Sequence, residues 1–209
     1  GVTVLLGRNG AGKTTALRTV MGLWKPSRGI IHFAGTKISG LDTPDIAGAG
    51  IAYVPESMAV FADLTVEENM ILAARSGPIA KDRLDRIFTL FPAMRTFWRT
   101  PAGVLSGGQK QMVAISRAIC EPRRLILIDE PTKGLAPAII EAMIAAFREL
   151  KRETSILLVE QNFRFASAIG DSVHVMDDGK IVYSGMMAEL KGNATLQTRL
   201  LGLSLEPTH

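Results

Sequence analysis

One cysteine, two tryptophans and two tyrosines are all that 209 residues contain of those types. The lone thiol, Cys120, rules out a disulfide within the chain and fits a reducing compartment. It falls late on an apolar helical pattern, where packing is its expected role. Long hydrophobic runs are missing as well. Hydrophobic residues make up 47% of the chain, yet no apolar stretch reaches the roughly 20 residues of a membrane span. That content supports a sizeable core, and the length suits one domain, 1–209, with a subdomain. Charge of one sign is not concentrated. The formal net charge is +4, and the basic residues are scattered, with small groups only at Arg123-Arg124 and Lys151-Arg152. A nucleic-acid partner needs a clustered basic face and is not expected. No Asn-Lys-x-Asp string occurs, which argues against a base site for guanine nucleotides, and no internal repeat or low-complexity linker is visible.

What is present is more specific. Gly7-Arg8-Asn9-Gly10-Ala11-Gly12-Lys13-Thr14 matches the phosphate-loop pattern G-x-x-x-x-G-K-[ST] without a mismatch, and Thr15 follows it. Val2-Thr3-Val4-Leu5-Leu6 before it reads as a buried strand, and residues 15–21 read as the start of a helix. That strand–loop–helix context is the one in which backbone N–H groups and a helix N-terminus converge on phosphate oxygens. Lys13 is expected to reach the β- and γ-phosphates of ATP, and the Thr14 hydroxyl to ligate Mg²⁺. A glycine turn that merely caps a helix would leave Lys13 and Thr14 without a purpose.

A second acidic motif narrows the chemistry. Leu125-Ile126-Leu127-Ile128-Asp129-Glu130 is an apolar run ending in two acids. It reads as a buried strand delivering carboxylates to the carboxyl edge of a sheet, where ligands bind in open α/β folds. Asp129 is expected to hold Mg²⁺ and Glu130 to polarise an attacking water. Upstream lies Leu105-Ser106-Gly107-Gly108-Gln109, in front of a helix expected from about Gln109 to Cys120. A helix start with small residues is a good anion site, and Ser106 is equally suited to cap the helix.

Further strands are expected at Gly29-Ile30-Ile31-His32-Phe33, Ile51-Ala52-Tyr53-Val54, 154–159, 172–176 and 181–184. Asp177-Asp178-Gly179-Lys180 is a hairpin signal between the last two. Thr65-Val66-Glu67-Glu68 is a capping box opening a helix through about Arg75. Leu84, Ile87, Phe88 and Phe91 mark one apolar helix face, closed by Pro92. Helices are also expected over 138–151 and from about Asn162. The alternation implies an α/β fold, a P-loop NTPase with a mainly parallel sheet flanked by helices. The region at about 57–110, between the two nucleotide motifs, reads as a more helical stretch.

The pairing of Leu105-Ser106-Gly107-Gly108-Gln109 with a hydrophobic strand ending in Asp129-Glu130 resembles the ATP-binding subunit of ABC transporters, over nearly the whole chain. It is this resemblance that makes the stretch at about 57–110 a helical subdomain. The resemblance implies head-to-tail dimerisation with a second ATP-binding subunit. It gives Ser106, Gly107 and Gly108 contact with the γ-phosphate of the partner's ATP. It also implies two membrane permeases, indirectly a periplasmic binding protein, and a peripheral place on the cytoplasmic face of the bacterial inner membrane. Phe88, Phe91, Phe97 and Trp98 would line the permease groove, although core packing is the better reading for Phe88 and Phe91. The family's early strands and adenine-stacking aromatic have no counterpart, so an N-terminal segment is expected to be missing.

Three positions depart from the commonest family pattern. Glu56 stands where a Gln usually reaches Mg²⁺ and the attacking water. Gln161 stands where a His usually contacts the γ-phosphate, and Ala136 replaces an Asp. The strings Tyr53-Val54-Pro55-Glu56, Leu64-Thr65-Val66-Glu67-Glu68-Asn69, Gly134-Leu135-Ala136-Pro137 and Leu157-Leu158-Val159-Glu160-Gln161-Asn162 resemble the second ATP-binding subunit of bacterial branched-chain amino acid importers. Urea or short-amide importers use similar strings. A non-transport ABC ATPase and an idle scaffold are compatible with the same motifs. Glu56 and Gln161 are expected to be working residues, Glu56 toward Mg²⁺ or its water and Gln161 toward the γ-phosphate.

Overall fold

The computed structural model describes residues 1–74 and 77–202. Apolar strands rich in Val, Ile and Leu alternate with helices, so the strands pair side by side through helical crossovers. In chain order the elements are β1 (Val2–Leu6), α1 (Lys13–Val20), β2 (His32–Phe33), β3 (Thr36–Lys37), α2 (Thr43–Gly48), β4 (Ile51–Val54), α3 (Val66–Ala73) and α4 (Lys81–Leu90). There follow α5 (Gly107–Ile119), β5 (Leu125–Asp129), α6 (Pro137–Leu150), β6 (Ser155–Glu160), α7 (Phe163–Ile169), β7 (Ser172–Asp177), β8 (Lys180–Met186), α8 (Met187–Gly192) and α9 (Ala194–Leu201). The main sheet runs β4-β5-β6-β1-β7-β8. Its first five strands are parallel and β8 returns antiparallel to β7.

Side chains alternate across the sheet and feed two cores. Val4 and Leu6 of β1, Ile126 and Ile128 of β5, and Ile156 and Leu158 of β6 pack with helices α5 to α8. Leu5, Leu127 and Val159 face the other way, onto Leu17 of α1, Met21 at its C-cap and Ile46 of α2. Both faces are therefore covered, as near-continuous apolar strands require.

The capping box at Thr65 forms as expected: the Glu68 N–H donates to its hydroxyl, and the Thr65 N–H donates to the Glu68 carboxylate. Helix α3 stops at Ala73, and Arg75, the expected end, lies outside the described residues. Ile87, Phe88 and Phe91 are buried, with Leu84 packed against them. Phe97 is buried too, and Trp98 meets Phe88 edge to face with ring centroids 5.0 Å apart. Phe88, Phe91 and Phe97 thus belong to the core and do not line a groove. Phe97 sits in a tight 3-10 turn, Pro92–Phe97, which rolls the side chain inward.

The strand expected from Gly29 shrinks to His32–Phe33, because Gly29 adopts φ +88 and Ile30 is exposed. It pairs with β3 across Ala34 and Gly35, both at positive φ, as a tight two-residue hairpin needs. Asp178 and Gly179 turn β7 into β8 in the same way.

Candidate functional site

The register of the parallel strands decides what meets. Val54 of β4 lies opposite Ile128, Asp129 of β5 opposite Val159, and Glu160 of β6 opposite Leu6 of β1. Four strands therefore end side by side. The residues that follow them, Glu56, Glu130, Gln161 and the loop from Gly7, leave the same carboxyl edge.

The loop is shaped by its glycines. A Cβ at Gly7 would sit 2.4 Å from the Met176 carbonyl oxygen, and Gly12 adopts φ +103 as the N-cap of α1. Gly12 offers no side-chain cap, so the first N–H groups of α1 remain available to an anion. Lys13 is 4% exposed and donates to the carbonyls of Gly7 at 2.8 Å and Arg8 at 3.0 Å. Its ammonium bridges the loop and lies 3.7 Å from Glu130 Oε1. Ala11 is buried, and its carbonyl accepts from the Gly179 N–H. A cavity of about 190 Å³ opens here, lined by Asn9, Gly10, Gly12, Lys13, Thr14, Thr15, Glu56, Glu130 and Lys133.

At the cavity floor the Thr14 hydroxyl donates to Asp129 Oδ1 at 3.1 Å, and the Tyr53 hydroxyl reaches Asp129 Oδ2 at 3.4 Å. Burial pushes the Asp129 carboxyl up, the Thr14 hydrogen bond opposes this, and the neighbouring Glu130 charge adds to it. A divalent cation would relieve that strain on the ionised form. The described residues hold no cluster of three or more His, Cys, Asp or Glu that would cage a metal. Mg²⁺ needs none, since it is held by one or two carboxylates together with substrate phosphates.

Glu130 sits at φ +46, a left-handed backbone rare outside glycine. Such strain concentrates at functional sites. Its side chain is held by Gln161, whose amide donates to Glu130 Oε1 at 2.8 Å and also to Asn9 Oδ1. Gln161 therefore ties the carboxylate to the phosphate loop. Glu56 pairs with Lys133, Nζ to Oε1 2.5 Å.

Three partners in this site are given no role by the sequence. Glu160 is 2% exposed and accepts from Thr132 Oγ1 at 2.6 Å, Thr132 N at 3.1 Å, and the N–H groups of Gln161 and Asn162, each at 2.9 Å. Lys133 and Tyr53 are the others. Tyr53 and Glu160 fall inside strings that carry the family resemblance without a role of their own, and a carboxylate closing an apolar strand is a further signal at Glu160. The Lys133 contact spans 77 positions and shows only in the fold.

Residues 105–109 lie apart from this cavity. Ser106 caps α5 through a capping box, accepting from Gln109 N at 3.3 Å while its own N–H donates to Gln109 Oε1 at 2.9 Å. The helix consequently begins at Gly107, two residues before its expected start. Leu105 and Gly108 are buried, and Ser106 and Gly107 are exposed. Among the described residues none of this segment lines the cavity of its own chain.

No helix among the described residues is long and apolar enough to cross a membrane. The family model for the ABC transporter matches residues 1–133. The chain is 37% identical over 208 residues to the high-affinity branched-chain amino acid transport ATP-binding protein BraG of Pseudomonas aeruginosa, covering 96% of this chain and 88% of that one. It is 34% identical over 206 residues to the probable branched-chain amino acid transport ATP-binding protein LivF of Archaeoglobus fulgidus, covering 97% and 87%. Proteins named for arabinose import, lipopolysaccharide export and molybdenum import match at 31%, 30% and 35% identity. In fold it resembles the ADP conformation of an ABC transporter's ATP-binding cassette, with TM-score 0.79 and 23% identity over 97% of this chain and 88% of that one. With the phosphate loop, the paired acids and the Ser106 segment in place, the chain belongs to the ABC transporter family and is its ATP-hydrolysing cassette.

Proposed function

We propose that this cassette powers an importer of branched-chain amino acids, bound peripherally to permease subunits at the cytoplasmic face of the membrane. The observation that carries the substrate class is the 37% identity, over nearly all of both chains, to a protein named for that transport. Two permeases and a periplasmic binding protein complete the assembly in this reading, and the helical region at about 57–110 is the part that meets them.

Each residue has a role at the sheet edge. The loop from Gly7 to Thr15 holds the phosphates by its N–H groups, and Lys13 exchanges the carbonyls of Gly7 and Arg8 for phosphate oxygens. Thr14 and Asp129 offer adjacent oxygens that would hold Mg²⁺, with Glu56 nearby. Such an ion neutralises phosphate charge when bound. Glu130 accepts the proton of the attacking water. Gln161 keeps Glu130 aimed, and its amide is placed to turn to the γ-phosphate as charge shifts there. Because Ser106 and Gly107 are exposed and away from their own cavity, they are read as contacts to ATP held by a second cassette.

The test is transport. Deleting this chain from its source organism is expected to abolish uptake of labelled leucine, isoleucine and valine, and Lys13→Ala is expected not to restore it. Normal branched-chain uptake with lost urea or amide uptake would transfer the cassette to those substrates.

A further inference from the structure

Glu56 puts a carboxylate where the family commonly has a neutral amide. Lys133 left aside, the phosphate cavity then has Glu56, Asp129 and Glu130 near it, against the ammonium of Lys13. That is a poor balance for a polyanion. Lys133 alters it. Its Nζ lies 2.5 Å from Glu56 Oε1, and both residues line the cavity. The turn after Glu130 sets its position, because the Lys133 N–H donates to the Glu130 carbonyl at 3.2 Å. The two side chains are 60% and 43% exposed, so the pair adds little to folding.

We propose that Lys133 is a positioning residue for ATP, neutralising Glu56 and holding its carboxylate at the cavity wall. The phosphates then meet a compact ion pair in place of an unpaired carboxylate, and the field of a pair fades faster with distance than that of a lone charge. Glu56 is thereby tolerated in this chain through a partner contributed by the neighbouring strand's loop. The inference rests on the assignment of this cavity to ATP.

Calorimetric binding of Mg-ATP to the purified chain tests it through Lys133→Met, Glu56→Gln and the double variant, with Lys133→Arg and Lys13→Ala alongside. Lys133→Met is expected to weaken binding about tenfold, the effect of one unpaired charge a few ångström from the phosphates in a half-exposed site. Lys133→Arg keeps the charge and is expected to stay within about threefold of the parent. Adding Glu56→Gln to Lys133→Met is expected to return affinity to within about twofold of Glu56→Gln alone, which a merely structural lysine would not do. Parental affinity in Lys133→Met, or an undiminished loss in the double variant, overturns the pairing. Parental affinity in Lys13→Ala instead overturns the assignment of the cavity, and the role of Lys133 with it.

Discussion

Glu160→Ala is the perturbation with the most readable consequence. The Glu160 carboxylate is buried and accepts four hydrogen bonds: two from Thr132, one from Gln161 N and one from Asn162 N. Alanine leaves three backbone N–H groups and a hydroxyl without that acceptor. A buried donor left unmade costs about 1–3 kcal/mol. The sum is not realised in full, because water can enter the space of the lost carboxylate. Relief from burying a carboxylate offsets part of the rest. A loss of about 3 kcal/mol is expected, in the range for breaking a buried polar network. Urea unfolding followed by circular dichroism reads this as a midpoint lowered by about 1.5 M, taking a slope of about 2 kcal/mol per M. A midpoint within about 0.3 M of the parent would refute the strut. Thr132 lies two residues beyond Glu130, so hydrolysis is expected to fall further than ATP affinity. Burial pushes the Glu160 carboxyl up, and the hydrogen bonds from Thr132, Asn162 and Gln161 only partly oppose it. The folded state therefore holds this proton more tightly than the unfolded one. The associated stability is present below the ordinary glutamate pKa of about 4.3 and is lost as pH rises through the higher folded value. Glu160→Gln removes that slope.

Glu130→Gln is expected to leave Mg-ATP affinity near the parent's and slow turnover about 10²–10⁴-fold, the usual worth of a general base; full-speed hydrolysis in the assembled transporter excludes the role. Ser106→Arg is expected to spare ATP binding by the isolated chain and to block ATP-dependent dimerisation in size-exclusion chromatography, and a normal dimer peak would refute the trans contact. Asp171 accepts from Val2 N at 2.8 Å and pairs with Lys151 at 2.6 Å. Burial alone would raise its carboxyl, but the Lys151 and Val2 hydrogen bonds carry it below the ordinary value. Its stabilisation is thus present above an unfolded pKa of about 3.9 and lost as pH falls through the folded value. With the pair partly exposed, Asp171→Asn is expected to cost about 1 kcal/mol at pH 7 and progressively less in acid, and a pH-independent gap would reject this.

The site is legible in the sequence where its chemistry is contiguous. Gly7 to Thr15 works as one backbone turn, and Asp129 and Glu130 close an apolar strand, so local order alone brings them to a phosphate. The Asp178-Gly179 hairpin and the Thr65 and Ser106 caps are equally local. Legibility stops where strand order decides. Thr132 reaches Glu160 across 28 positions and Lys133 reaches Glu56 across 77, contacts that exist because β4, β5 and β6 are neighbours. Helix α2 escapes a reading by periodicity although Asp42-Thr43-Pro44 is a start signal, since six residues carry too short a pattern to register. Phe97 reads toward a groove because an aromatic's spacing does not tell which way a 3-10 turn rolls it. The same limit shapes the reading of Glu56 and Gln161. In the string each is a substitution that weakens a known pattern. In the fold, Gln161 joins Glu130 to Asn9, and Glu56 has an ammonium against it. Each of these two departures is answered by a partner on an adjacent strand's loop, so what reads in the string as a lost contact is in the fold a contact made to a different residue.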